Sequence, residues 1–287
     1  MMEYAYEHAI MCELYDDYVS ESVSDIAKKV GRFFKVLFDN IVSGISKFIN
    51  GIKERFQKWK SRNRSTEEIL NHSGASEEEN ENSQETKNTN ENNTVNKPKY
   101  QLKRMGTGKK FEASTISKLE YEIRAVAQQE DKLISMQIVL CKELENELNQ
   151  NLSALSRGSI DVRKIDELIS KCEAVKDKMN DCKVKKFEIL HRYADNGYDI
   201  TMDDICEIGA KYIAKNCYNE ANTLSHFSDY MRKASKQCET SMNYDYSQDQ
   251  ISKIRDWAKK ITVIIGHVTN TTQQCLGINV FDASRHK

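Results

Sequence analysis

Apolar side chains recur every three or four positions between residues 24 and 60, which is the period of one face of an α-helix. At 1.5 Å per residue this helix would be about 50 Å long. Its other side carries mostly Lys and Arg, so the segment predicts a basic amphipathic helix. We expect its apolar stripe to contact another surface, and eight positions define that stripe. They are Ile26, Phe33, Leu37, Ile41, Ile45, Phe48, Ile52 and Trp59.

The same helical period continues through residues 112–275 and predicts a second, larger helical region. Short breaks and capping-box patterns divide this region into about four helices. The dividing positions are Arg157–Ser159, Asn196-Gly197, Thr201 with Asp204, and Ser247 with Gln250. Because the connections are short, consecutive helices should run antiparallel and form an up-down bundle.

Residues 65–98 separate the two helical regions and contain almost no apolar side chains, with eight Glu against two Lys. Such a composition predicts a disordered acidic linker. Residues 99–111 are basic with interleaved aromatics and predict an extended arm. The predicted protein is therefore all-α, with four parts. These are an N-terminal helical segment (1–64, an acidic helix and then the basic helix), the linker (65–98), the basic arm (99–111) and an antiparallel helical bundle (112–287).

Composition agrees with an all-α chain, because 287 residues include one Pro and only 11 Gly. Sheet-rich folds need many turns, and turns use those two residues heavily. No run of about 18 apolar residues predicts a membrane-spanning helix. The N-terminus is acidic where a signal peptide would be basic, so we expect a location in the host cytoplasm or in a virion interior.

Motifs for catalysis, cofactors or metals are not found in the sequence. Gly106-Thr107-Gly108-Lys109-Lys110 superficially suggests a phosphate loop, but the earlier glycine and the Ser or Thr after the lysine are missing. The eight Cys contain no C-x-x-C pair, and the six His form no metal-binding pattern. We expect a non-enzymatic protein with no catalytic residue, cofactor, metal or small-molecule substrate.

Three interpretations of the basic amphipathic helix remain open. Its stripe could pack on another helix, in this chain or in a protein partner or second copy. Alternatively the helix could adsorb to an anionic membrane surface. The third possibility is a nucleic acid or acidic partner bound through the basic side, at Lys58, Lys60, Arg62 and Arg64. Packing on protein is favoured, the membrane is the main alternative, and nucleic acid has the weakest support.

The order of these segments resembles a known family type. The chain opens with Met2-Glu3-Tyr4-Ala5-Tyr6-Glu7 and continues into a Phe-, Ile- and Lys-rich helix over Ile26–Lys60. An acidic Glu/Asn linker and a helical domain follow. This layout resembles the helical virion-internal or prohead-core proteins of large bacteriophages. The resemblance covers the whole chain in layout, without an aligned motif, and it implies a non-enzymatic assembly component packaged with capsid or DNA. It assigns no functional residues.

Overall fold

The computed structural model describes residues 23–62, 64–71, 109–155, 161–241 and 247–278, and this part of the chain is all-α, as predicted. Apart from one isolated bridge between Lys109 and Tyr198, the described residues form no β-structure. The acidic helix predicted before residue 23, linker residues 72–98 and arm residues 99–108 lie outside the description. The helices are α1 (Val23–Arg62), α2 (Thr66–Asn71), α3 (Ala113–Leu155), α4 (Arg163–Asp195), α5 (Met202–Ser241) and α6 (Gln248–Cys275).

Both predicted capping boxes are confirmed at the starts of α5 and α6. Asp204 N–H donates to the Thr201 hydroxyl at 3.2 Å, and the Asp204 carboxylate accepts from Thr201 N–H at 2.8 Å. Ser247 and Gln250 make the equivalent pair of bonds before α6. These bonds satisfy backbone N–H groups that have no partner inside the helix, which fixes where each helix begins.

The five long helices form a ring in the order α1, α5, α3, α4, α6 and back to α1. Consecutive helices run antiparallel, as predicted, but α5 and α6 make little direct contact in the described structure because α1 lies between them. Some neighbours in the ring are parallel instead. For example, α4 and α6 run parallel. Asp166 at the start of α4 pairs with Lys260 of α6, and Lys186, further along α4, donates to the Cys275 carbonyl at the end of α6. Of the consecutive long helices, α3 and α4 pack side by side, whereas α4 and α5, and α5 and α6, are not neighbours in the ring.

Helix α1 shares one hydrophobic core with α3–α6. Its buried side chains pack in the same cluster as Leu119 and Leu144 of α3 and Trp257 of α6. The sequence-based division placed residues 1–64 and 112–287 in separate parts. Periodicity shows that a helix has an apolar face but not which surface that face packs against, so it could not reveal this shared core.

The described residues on either side of segment 72–108 lie side by side. At its start, residues that the sequence assigned to the linker form α2, which buries Ile69 and Leu70. At its end, the Phe111 N–H donates to the Asn71 side-chain oxygen at 3.2 Å. The Phe111 ring also stacks on Tyr198, with 4.4 Å between ring centroids. The described residues that precede and follow segment 72–108 therefore meet at one place on the bundle.

Candidate functional site

The apolar stripe of α1, which was the predicted contact surface, is buried inside this chain. Ile41, Ile45, Phe48, Ile52 and Trp59 are all buried. Leu37 is half-buried and packs against the same core. The side chains of Ile26 and Phe33 lie outside the description. The buried part of the stripe can meet an external surface only if α1 separates from the bundle.

Helix α1 lies in a groove between α5 and α6. Phe56 on α1 contacts Tyr218 of α5, with 5.1 Å between ring centroids. It also meets Trp59 edge to face at 5.7 Å. Aromatic pairs in this geometry are more favourable than their buried area alone predicts. The groove is therefore filled by matched apolar and aromatic side chains of the chain itself.

Arg55 connects the end of α1 to the ends of two other helices. Its Nε–H donates to the Leu276 carbonyl at the C-terminal end of α6 at 3.1 Å. Its guanidinium also pairs with Asp203 in the first turn of α5 and lies over the Trp59 ring, 4.7 Å from the centroid. A cation at a helix C-terminus and an anion at a helix N-terminus are both favourable. Arg55 therefore holds α1, α5 and α6 together at one end of the bundle.

Two of the four predicted polyanion contacts are already paired within the chain. Arg62 and Arg64 donate to the same carboxylate oxygen of Glu207, at 3.0 Å and 2.7 Å. The Glu207 side chain is only 5% exposed, so the two guanidinium groups supply most of its hydrogen bonding. Lys58 and Lys60, the other two, are exposed and form no ion pair with any described residue. Of the four predicted contacts, Lys58 and Lys60 are therefore the two that remain available to a polyanion.

Sequence analysis missed three residues of this ionic cluster, which are Arg55, Asp203 and Glu207. The two acids lie more than 140 positions from their arginines in the sequence. No local pattern predicts a contact over such a separation. The position of Asp203 in the first turn of its helix gave no signal either, because the positive end of the helix dipole already explains an acid there.

A buried ion pair ties α3 to α4 and α6. Lys186 Nζ lies 2.7 Å from Glu130 Oε1 and donates to the Cys275 carbonyl at 3.0 Å. Burial raises the pKa of Glu130, and the nearby Lys186 charge opposes that shift. Both side chains are almost completely inaccessible to solvent, so this ion pair serves to hold the helices together.

The space beside this ion pair is too small for a substrate. A crevice lined by Glu130, Lys186, Met179 and Cys275 has a volume of about 10 Å³. That volume is about one water molecule, whereas small-molecule sites typically enclose several hundred Å³. In the described part of the chain, no group of His, Cys, Asp and Glu could hold a metal ion.

The cysteines in the described core are free thiols and are all buried. Burial raises the pKa of Cys141 and Cys217 well above the ordinary value, which keeps these thiols neutral. A neutral thiol is a weak nucleophile and packs like a small hydrophobic group. The free thiols are Cys141, Cys172, Cys182, Cys206, Cys217 and Cys275.

Comparison with protein-family models, with curated proteins and with solved structures gives no match for this chain. None of the helices among the described residues is both long and apolar enough to cross a membrane.

Proposed function

We propose that this protein is a non-enzymatic structural and interaction protein that acts by helix–helix association. In keeping with the layout of its sequence, the proposed setting is a bacteriophage virion interior or an assembling capsid. The shape supports this role, since α3 alone has 43 residues. At 1.5 Å per residue it is a rod of about 65 Å with a long accessible side. The buried α1 stripe supplies association within the chain, so contacts with other chains must use the outer surface.

The observation that carries this proposal is a row of exposed apolar side chains on α3. Tyr121 is 74% exposed, Met136 47% and Val139 53%. Tyr121 and Val139 are 18 residues apart, about five helical turns, so they lie on the same side of the helix. Exposed apolar side chains that share one face can mark a protein contact. We assign this row, Tyr121, Met136 and Val139, as the surface for association with a second copy.

Analytical ultracentrifugation of the full chain tests this assignment. We expect concentration-dependent self-association that Met136→Glu with Val139→Glu abolishes, because two charges would be buried in the contact. Val184→Glu is the matched control, since Val184 is 55% exposed on α4, away from the row. A wild-type chain that remains monomeric at its highest soluble concentration would contradict the proposal.

The proposed setting is tested separately by mass spectrometry of purified phage particles and proheads. We expect the chain in many copies per particle and protected from external protease. Its absence from both particles and proheads would remove the virion part of the proposal and leave the self-association part standing.

The membrane alternative makes a different demand, because it requires α1 to leave its groove. Its stripe includes Ile45, Phe48 and Ile52, which are buried in the bundle. We therefore expect the full chain not to co-sediment with vesicles of anionic lipid. Salt-sensitive co-sedimentation that Phe48→Asp abolishes would favour the membrane alternative instead.

A further inference from the structure

Glu220, on α5, is a completely buried carboxyl group with few partners. Its exposed fraction is 0%. Oε2 lies 2.6 Å from the Thr272 hydroxyl oxygen on α6, while Oε1 has no hydrogen-bond partner. Among the described residues no Lys, Arg or His forms an ion pair with it. An ionised carboxylate here would have one hydrogen-bond donor and no balancing charge, which is costly in a protein interior.

The titratable groups that face Glu220 are thiols. They are Cys141 on α3, Cys172 on α4 and Cys217 on the same helix. Burial raises the pKa of each thiol, so none supplies a charge near neutral pH. Burial likewise raises the pKa of Glu220 to about 8, and the Thr272 hydroxyl offsets only part of this shift.

A chain of hydrogen bonds extends from Glu220 across three helices. The Thr272 hydroxyl oxygen also lies 3.1 Å from the Gln137 side-chain carbonyl on α3. The Gln137 amide donates to Thr271, whose hydroxyl donates to the His267 carbonyl at 2.8 Å. Thr272 has a single hydroxyl hydrogen for two possible acceptors. If Glu220 is neutral, it donates to Thr272 and Thr272 donates to Gln137, so each carboxyl and hydroxyl proton in the chain has an acceptor.

We propose that Glu220 carries a proton in the folded protein and uses it to hold α6 against α5 and α3, so that α6 is held more weakly as the pH rises and that proton is lost. The direction of this pH dependence follows from the different proton binding of the folded and unfolded protein. The folded protein keeps this proton up to about pH 8, whereas the unfolded chain releases it near pH 4.5. The contribution of Glu220 is complete below that lower value and is lost as the pH rises through 8.

Urea unfolding of the full chain between pH 5.5 and 7.5 tests the proposal. In the wild type, the unfolding equilibrium constant should rise about tenfold more per pH unit than in Glu220→Gln, because one proton is released on unfolding. Asp229→Asn is the matched control on the same helix, since Asp229 is exposed, and it should follow the wild type. Equal pH slopes for the wild type and Glu220→Gln would overturn the proposal.

Infrared spectroscopy of the folded protein gives a second measurement that does not depend on how Glu220→Gln folds. The wild type should show a protonated-carboxyl stretch at pH 6 that disappears with a midpoint near pH 8. Thr272→Val removes the hydroxyl that bonds Glu220, so the midpoint of this variant should shift away from that of the wild type. A wild type without a protonated carboxyl at pH 6, or an unmoved midpoint in Thr272→Val, would refute the hydrogen-bond chain.

Hydrogen exchange shows whether α6 is the element that loosens. After correction for intrinsic exchange, protection of α6 amides near Thr272 should fall about 100-fold from pH 5.5 to 7.5, and far less in Glu220→Gln. Constant α6 protection in the wild type over this range would contradict the proposed role of the proton.

Discussion

Individual side chains fix the ends of several helices, and the sequence shows this directly. The two capping boxes were predicted because both partners lie within four residues of each other. Gly197 was predicted as a helix end, and it has a φ of +84°, a backbone conformation that favours glycine over other residues. Interactions this local leave a signature in the sequence, so the structure and the prediction agree.

Ser247→Ala should lower the free energy of unfolding by about 1 kcal/mol, because Gln250 N–H loses its acceptor at the start of α6. Ser247→Gly should cost only a few tenths of a kcal/mol, since glycine suits the cap position. Urea unfolding of both variants measures this difference. A Ser247→Ala variant as stable as the wild type would show that the side-chain bond does not define this helix start.

At the scale of single helices, α1 shows where sequence reasoning stops. The stripe was predicted correctly as an apolar face, but its partner was not identifiable. The partner surfaces on α5 and α6 are equally amphipathic, and no pattern relates them to α1. The cluster of Arg55, Asp203 and Glu207 was missed for the same reason, because it exists only after folding.

Ile45→Ala should cost about 2–5 kcal/mol, because the Ile45 side chain is fully buried and its removal leaves a cavity between α1 and the bundle. Val36→Ala is the control on the same helix, since Val36 is exposed, and should change stability by less than about 0.5 kcal/mol. Thermal unfolding measures both. A small effect of Ile45→Ala would indicate that α1 is not firmly packed in solution.

Glu207→Gln tests the ionic cluster. The substitution removes the charge that Arg62 and Arg64 share, and we expect a loss of about 1–2 kcal/mol, reduced for the partial exposure of the arginines. The loss should shrink at high salt. Glu54→Gln is the matched control, because Glu54 is exposed on α1 and has no ion pair with a described residue. Equal effects of the two changes would show that the cluster contributes little.

At the scale of the whole molecule, the all-α class followed from composition and period, but the order of helices around the ring did not. A four-helix region with short connections predicts neighbours that follow the chain. The insertion of α1 between α5 and α6 separates two consecutive helices. That insertion depends on a contact between residues far apart in sequence, so no segment read alone contains it.

Shortening the segment between α2 and α3 should stabilise the protein. Residues 72–108 number 37, and the Asn71–Phe111 bond places the chain on either side of them close together. If the segment is the flexible linker that the sequence predicts, replacing it with about eight Gly and Ser residues should add about 1 kcal/mol by lowering the entropy of loop closure. Doubling its length should instead cost about 0.6 kcal/mol. A loss of stability on shortening would show that the segment contributes contacts of its own.

The position of α1 between α5 and α6 also affects synthesis of the chain. The ribosome makes α1 before α5 and α6, and the second wall of its groove, α6, is completed only at Cys275. At typical elongation rates of 5–20 residues per second, the interval between Arg62 and Cys275 lasts roughly 10–40 s. Throughout that interval the apolar face of α1 lacks its complete binding groove within the nascent chain. Chaperones and lipid surfaces therefore have their best opportunity to capture α1 during translation.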